Sequence, residues 1–149
     1  MTFINDHTRL YWIYLISEKS EVKKLFKDFY TIVENQFQRK ICILCSNNGS
    51  KYLNELLGNF LKEKGIQHQS TCRDTPQQNG IAKHKNKHLL KVACAIMFYM
   101  NVPKYLSGDV VLTTCYLINR TPTHVLKYMT PLGCLNFFPL KHEYTLIYL

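Results

Sequence analysis

The chain has 149 residues, enough for one domain with a single hydrophobic core, and its hydrophobic content of 46% is ordinary for a globular protein. No apolar run reaches the roughly 18 residues of a membrane span, and the first residues lack the features of a secretory signal. We therefore expect an intracellular protein without membrane contact. The formal charge of +9, from 19 Lys+Arg against 10 Asp+Glu, favours a polyanionic partner, most often nucleic acid.

The spacing of the cysteine and histidine residues indicates whether the chain could form a zinc site. Of the six cysteines, Cys42, Cys45, Cys94 and Cys115 lie within apolar periodic segments. We expect reduced, mostly buried thiols. A zinc finger is disfavoured because 38 residues lie between Cys45 and His84, where a finger has about 12 to 15.

The first half of the chain predicts alternating strands and helices. Residues 2–5 and 10–17 are rich in aromatic and β-branched residues and flank a turn-prone segment, which predicts a hairpin. Residues 20–37 show the apolar spacing of an amphipathic helix. The run ICILC at 41–45 is short and continuously apolar, as in a buried parallel strand. A second helix follows, which Gly65 closes.

The second half predicts one more strand and two more helices. IQHQS at 66–70 reads as a strand, and RDTPQQNG at 73–80 reads as a loop because it has proline and glycine but no apolar residue. One helix then runs to the break at 101–103. Another runs to about Asn119, with a predicted apolar face of Leu106, Val110, Thr113, Leu117 and Ile118. The order predicts a mixed α/β domain over residues 1–120 with helices flanking the sheet.

The C-terminal residues 121–149 are predicted to be an extension that is irregular or contains a short strand. The sequence leaves open whether the terminal LIYL is a strand or an unpaired tail. Among the aromatic residues, Tyr11, Trp12 and Tyr14 are predicted to pack in the sheet core. The group Met97, Phe98, Tyr99 and Met100 is predicted to serve helix packing.

Consecutive segments of the chain resemble the integrase catalytic core of copia-type retrotransposons. They run in order over about residues 2 to 135 and comprise TFINDHTRLYWIYLISEKSEV, SNNGSKY, FLKEKGIQHQSTCRDTPQQNGIAKHKNKHLL, MNVPKYL and YLINRTP. The resemblance implies a ribonuclease H-like mixed sheet flanked by helices. It also implies that the first strand of that sheet, which is central, is missing from this chain. The two strand edges beside that position are then expected to lack a partner.

The family inserts element DNA into target DNA with Mg or Mn ions held by two aspartates and a glutamate. The resemblance implies that Asn47 stands at the second aspartate and Lys83 at the glutamate, 36 positions further on. Asp6 matches a different aspartate of the family, and we interpret it as a turn residue. Divalent cations require carboxylates here. We therefore predict a degenerate site with no catalytic residue intact, no metal site and no cofactor.

The helix after the loop is basic, and Lys83, Lys87 and Lys91 are spaced by four so that they fall on one face. The resemblance implies that this helix and the preceding loop face DNA. The predicted DNA-binding residues are Gln77, Gln78, Asn79, Gly80, Lys83, Asn86, Lys87 and Lys91. The alternative, that these residues form a solvated helix face and a surface loop, stays open.

The function expected from the sequence is that of an inactive integrase-core-like domain with residual, non-specific DNA binding. The resemblance also implies a homodimer surface, and a nuclear location if the chain acts like the family. The alternative is a non-catalytic protein-interaction module or a transposon remnant without function. A third hypothesis, an active strand-transfer enzyme, requires metal ligands that the sequence does not offer.

Overall fold

The computed structural model describes residues 1–38, 40–46, 51–70, 80–137 and 145–148. The strands are β1 (Thr2–Asn5), β2 (Tyr11–Ile13), β3 (Ile41–Ser46), β4 (Gln67–Ser70) and β5 (Thr145–Tyr148). The helices are α1 (Val22–Phe37), α2 (Lys51–Glu63), α3 (Gly80–Tyr99), α4 (Ser107–Arg120) and α5 (Pro131–Phe137). Short 3-10 turns at Lys19–Glu21 and Lys104–Leu106 lead into α1 and α4, and a third lies at His124–Leu126. In these described ranges, no helix is both long and apolar enough to cross a membrane.

The structure confirms the predicted mixed α/β class and the order of its elements up to α4. β2 is shorter than predicted and ends at Ile13. α3 begins at Gly80, so this glycine belongs to the helix and not to the preceding loop. Gly65 follows α2 with a φ of 68°, a conformation that glycine adopts without the steric penalty of a Cβ atom, which explains why the helix ends there.

The five strands form one sheet in the order β2-β1-β5-β3-β4. β1 is antiparallel to both of its neighbours, β2 and β5. β3 is parallel to both of its neighbours, β4 and β5. The first three residues of the C-terminal LIYL, Leu146, Ile147 and Tyr148, therefore belong to a strand, and that strand lies in the middle of the sheet.

This position corrects one expectation from the sequence. The facing edges of β1 and β3 were expected to lack a partner, but β5 pairs with both of them. The sequence left open whether the terminal LIYL is a strand, and it gave no indication of which strands that segment would pair with. A segment more than 100 residues away along the chain reaches the same place.

Two hydrophobic clusters cover the two faces of the sheet. One cluster packs α1 and α2 on Phe3 and Leu44, and the other packs α3 and α4 on Ile4 and Cys45. Neighbouring residues of a strand point to opposite faces, which explains how each strand serves both clusters. The result is a helix–sheet–helix sandwich in which α3 lies on the face opposite α1 and α2.

The aromatic residues of the hairpin pack as predicted. Tyr11 is buried, the Trp12 and Phe29 ring centroids lie 5.2 Å apart, and those of Tyr14 and Phe3 lie 5.8 Å apart. The face of α1 that packs on Phe3, Trp12 and Tyr14 is buried and consists of Val22, Phe26, Phe29, Tyr30 and Val33. These residues confirm the amphipathic pattern predicted for the first helix.

Three expectations about helix packing are wrong. The side chains of Phe98 and Tyr99 are 84% and 89% exposed, and Met100 is also exposed. Phe98 lies five positions after Ala93, the last buried residue of α3, so its side chain is on the solvent side of the helix. Cys94, predicted with the buried thiols, directly follows Ala93 and is exposed because it also lies on that outer side. In α4 the predicted apolar face included Thr113 and Leu117, which are exposed, whereas the buried residues are Val110, Thr114 and Cys115.

Candidate functional site

The candidate site begins where β3 ends. Ser46 is the last residue of that strand and is buried. Its Oγ lies 2.8 Å from Nε2 of His68 in the neighbouring strand β4. Asn47, the predicted degenerate aspartate position, lies outside the described residues. The structure therefore describes the strand that leads to this position and the polar contact that anchors the strand end.

His68 is a residue whose partner the sequence did not identify. In the parallel register His68 pairs with Leu44, and Ser46 pairs with Ser70, so the Ser46 and His68 side chains share a face. Burial lowers the pKa of the His68 imidazole, which favours the neutral ring. Parallel pairing of the two predicted strands would suggest this contact. The sequence of either strand alone, however, does not determine the register between them.

α3 carries the predicted DNA-binding lysines and packs on the face of the sheet opposite to the Ser46–His68 contact, and its packing determines which of its residues face outward. Ala82 and Leu89 are buried against the sheet. The exposed residues are Lys83, Lys87 and Lys91, each one or two positions along the chain from one of these buried residues and therefore on another side of the helix. The predicted lysine face is therefore on the solvent side of a helix whose opposite side is fixed in the core.

The three lysines carry uncompensated charge. Within the described part of the chain, no carboxylate lies within 4.0 Å of their ammonium groups. Like charges four residues apart on a helix destabilise it by roughly 0.2–0.5 kcal/mol per pair. A negatively charged ligand along this face would relieve that repulsion.

Lys85 is a basic residue of the same helix with a different environment. Its ammonium lies 4.8 Å from the ring centroid of Tyr11, and its carbonyl oxygen accepts a 3.4 Å hydrogen bond from the Tyr11 hydroxyl. Burial, together with the nearby charge of Arg9, lowers the pKa of the Lys85 ammonium. Lys85 therefore attaches α3 to the hairpin and is not one of the outward-facing lysines.

The other predicted DNA-binding residues lie in several environments. Asn86 is half-buried, and its Oδ1 atom is enclosed without a hydrogen-bond partner among the residues that the structure describes. Gly80 is the first residue of α3 and is half-buried. Gln77, Gln78 and Asn79 lie outside the described residues. Only Lys83, Lys87 and Lys91 are thus brought together as a continuous exposed face.

Asp6 lies in the turn between β1 and β2, which agrees with its interpretation as a turn residue. Its carboxylate accepts a 2.9 Å hydrogen bond from the Arg9 guanidinium. The Asn5 side chain closes the same turn by accepting from the backbone N–H groups of His7 and Thr8. Asn5 is level with Leu44 across β5, so Asp6 lies towards the start of β3 and away from Ser46.

Metal-binding residue types do not gather in the described ranges. There, no group of three or more His, Cys, Asp or Glu side chains could hold a metal ion. The structure describes five cysteines, which form no disulfide with one another: Cys42, Cys45, Cys94, Cys115 and Cys134. Three of these five are buried, namely Cys45, Cys115 and Cys134.

Comparison with known proteins connects this arrangement to mobile elements. The chain is 34% identical over 131 residues, or 88% of its length, to the retrovirus-related Pol polyprotein from transposon TNT 1-94 of Nicotiana tabacum. It is 33% identical over 95% of its length to the corresponding polyprotein from transposon RE2 of Arabidopsis thaliana. The chain spans only about a tenth of each polyprotein. No protein-family model matches it.

The fold has a relative among solved structures. A chain in the cryo-EM structure of the simian T-cell lymphotropic virus intasome, in complex with the PP2A regulatory subunit B56 gamma, matches with a TM-score of 0.71. The match covers 95% of this chain and 49% of that chain at 14% sequence identity. This likeness concerns the fold, and it agrees with the ribonuclease H-like class expected from the sequence.

Sequence similarity to the transposon polyproteins, together with the sandwich that packs a basic helix on one face of a mixed sheet, identifies an integrase-like domain. The chain resembles a segment of the copia-type retrotransposon Pol polyproteins.

Proposed function

We propose that this chain is a catalytically inactive integrase-like domain that retains non-specific, phosphate-directed DNA binding through α3. The observation that carries the proposal is the outward lysine face of this helix, defined by Lys83, Lys87 and Lys91, which are exposed and have no carboxylate nearby among the described residues. Lysines on one helix face contact phosphates without reading base sequence.

The residue types at the two family positions oppose catalysis. An asparagine at 47 offers a neutral carbonyl, and a lysine at 83 offers an ammonium that cannot ligate a cation. An ammonium held about 4 Å from a divalent ion costs on the order of 8 kcal/mol at an effective dielectric of about 20. The residue types at these positions do not fit a two-metal site.

DNA affinity measured against salt concentration tests the binding proposal. Fluorescence anisotropy of a labelled duplex should show an affinity that falls steeply with salt for the unmodified chain. The double variant Lys87→Glu with Lys91→Glu should bind more weakly, and the slope of log affinity against log salt should decrease by about two, because each lost phosphate contact removes about 0.9.

A matched control separates a local contact from a general loss of charge. Lys24 and Lys62 are exposed on α1 and α2, on the opposite face of the sheet. Lys24→Glu with Lys62→Glu changes the net charge by the same amount but should leave most of the affinity. Equal losses in the two double variants would refute a binding face on α3. Strand transfer or nicking by the purified chain with Mg²⁺ or Mn²⁺ would refute inactivity.

A protein-interaction module is the second candidate, and a different surface favours it. Phe98, Tyr99 and Tyr105 expose their rings near the junction of α3 and α4. Exposed aromatic residues in a group are typical of protein interfaces. Sedimentation equilibrium of the unmodified chain and of Phe98→Ser with Tyr99→Ser tests self-association through this surface. If neither variant nor concentration alters a monomeric mass, self-association is excluded.

A further inference from the structure

The strand β5 joins two parts of the sheet that otherwise do not pair. On one side β1 and β2 form an antiparallel hairpin, and on the other side β3 and β4 form a parallel pair. β5 lies between β1 and β3 and pairs with both. Ile147 lies opposite Asn5 and Leu44, and Tyr148 lies opposite Ile4 and Cys45. A single segment therefore determines whether the sheet has two pieces or one.

The position between β1 and β3 extends beyond the described part of β5. β1 has four residues, but only Ile4 and Asn5 pair with β5. Among the described residues, Thr2 and Phe3 have a strand partner only on the β2 side. β3 has six residues, and four of them pair with β5, with an irregularity between Ile41 and Ile43.

β5 runs towards the end of the sheet at which β1 begins. β5 is antiparallel to β1, and its last described residue, Tyr148, lies opposite Ile4. Joined by a short turn, β5 and β1 would form an ordinary β-hairpin. In this structure the two strands instead meet across more than 100 intervening residues.

We propose that the position between β1 and β3 is a strand-binding site for an extended apolar peptide, which β5 occupies from within the same chain. Both faces of the sheet are covered by helices. Such a central position requires a strand that is apolar on both faces, and the run Thr145, Leu146, Ile147 and Tyr148 has that composition. Backbone pairing to two neighbours supplies affinity, as in other cases of strand addition.

Binding of a peptide to the full-length chain tests this site. The probe is a fluorescent peptide with the sequence of residues 141–149. In the unmodified chain, the tethered β5 competes with the peptide at a high effective concentration. In the full-length Ile147→Pro variant, proline removes a backbone donor from a central strand and releases β5. The peptide should then bind at least about tenfold more tightly than it binds to the unmodified chain.

The control peptide carries the same Ile147→Pro change and should not bind. If the full-length variant binds the probe no more tightly than the unmodified chain does, or binds both peptides equally, the proposal is wrong. If the variant is unfolded alone but regains native circular dichroism when the probe peptide is added, the proposal is supported. A dimer of the unmodified chain that Ile147→Pro abolishes would overturn occupation from within the same chain.

A circular permutant provides an independent test that does not depend on a destabilised variant. It begins at residue 138, runs to Leu149, passes through a turn of about four residues and continues from Met1 to Phe137. Shortening the connection between the paired strands should raise the folding equilibrium constant by about 100-fold, because loop closure then costs less entropy. A permutant that fails to fold cooperatively in urea, or gains no stability, would refute the proposed hairpin relationship.

Discussion

The side-chain amide of Asn119 satisfies both backbone groups of Tyr11. The Tyr11 N–H donates to Oδ1 of Asn119 at 2.9 Å, and Nδ2 of Asn119 donates to the Tyr11 carbonyl at 2.8 Å. β2 is the outer strand of the sheet, so these backbone groups point away from β1. The last turn of α4 thereby protects the sheet edge from pairing with another chain.

Replacing Asn119 should destabilise the protein more than an ordinary asparagine replacement does. Asn119→Ala leaves the N–H and C=O of Tyr11 without partners in a half-buried place, which should lower the free energy of unfolding by about 2–3 kcal/mol. Urea unfolding measures this loss. Asn35→Ala, at an exposed position of α1, is the matched control and should change stability little. Equal effects of the two changes would contradict the role assigned to Asn119.

The Ser46–His68 contact predicts a dependence of stability on pH. Burial lowers the pKa of folded His68 from the ordinary value of 6.5, so the unfolded chain binds a proton at pH values where the folded chain does not. Stability from this residue is therefore present above pH 6.5 and is lost as the pH falls towards the lowered pKa.

The urea midpoint should decrease between about pH 7.5 and about pH 5.5 in the unmodified chain. His68→Gln should make this decrease smaller because the titrating group is gone. His88→Gln, at an exposed position of α3, should leave it unchanged. If His68→Gln and His88→Gln have the same pH dependence as the unmodified chain, another group causes it.

Alkylation should distinguish the exposed thiol from the buried ones. Burial raises the pKa of Cys115 to about 11, although a hydrogen bond from Asn119 opposes this effect. Burial also raises the pKa values of Cys45 and Cys134. Of these four cysteines, iodoacetamide at about pH 8 should therefore modify Cys94 first, because Cys94 is exposed and the other three are buried.

Mass spectrometry of peptides identifies each alkylated residue. In the native chain, Cys115 should remain unmodified while Cys94 reacts, and in concentrated urea all six cysteines should react. Native modification of Cys115 as fast as that of Cys94 would show that α4 does not stay packed on the sheet.

Restoring the two carboxylates should create a weak cation site if Asn47 and Lys83 stand at the family positions. The double variant Asn47→Asp with Lys83→Glu should be stabilised by Mn²⁺, by about 1.4 kcal/mol at a concentration ten times the dissociation constant. Thermal unfolding with and without Mn²⁺ measures this effect. Asn47→Asp with Lys87→Glu carries the same charge but places the second carboxylate one helical turn away, and should gain less. Equal gains would indicate a general effect of charge.

The sequence determined the types of the elements and their order up to α4. Periodicity is a local property, so the helix at 20–37, the strand at 41–45 and the closing Gly65 could be predicted from residues within one element. The lysine spacing on α3 likewise gave a face that the structure places on the solvent side. The excess of positive charge and the resemblance to copia-type integrases also required no coordinates.

The three-dimensional structure was needed to show which distant segments are in contact. The pairing of Ile147 with Asn5, the amide of Asn119 on Tyr11, and the contact of Ser46 with His68 all join residues far apart in the chain. Local patterns show which residues prefer burial or a strand conformation, but the choice of partner depends on the packing of the whole chain.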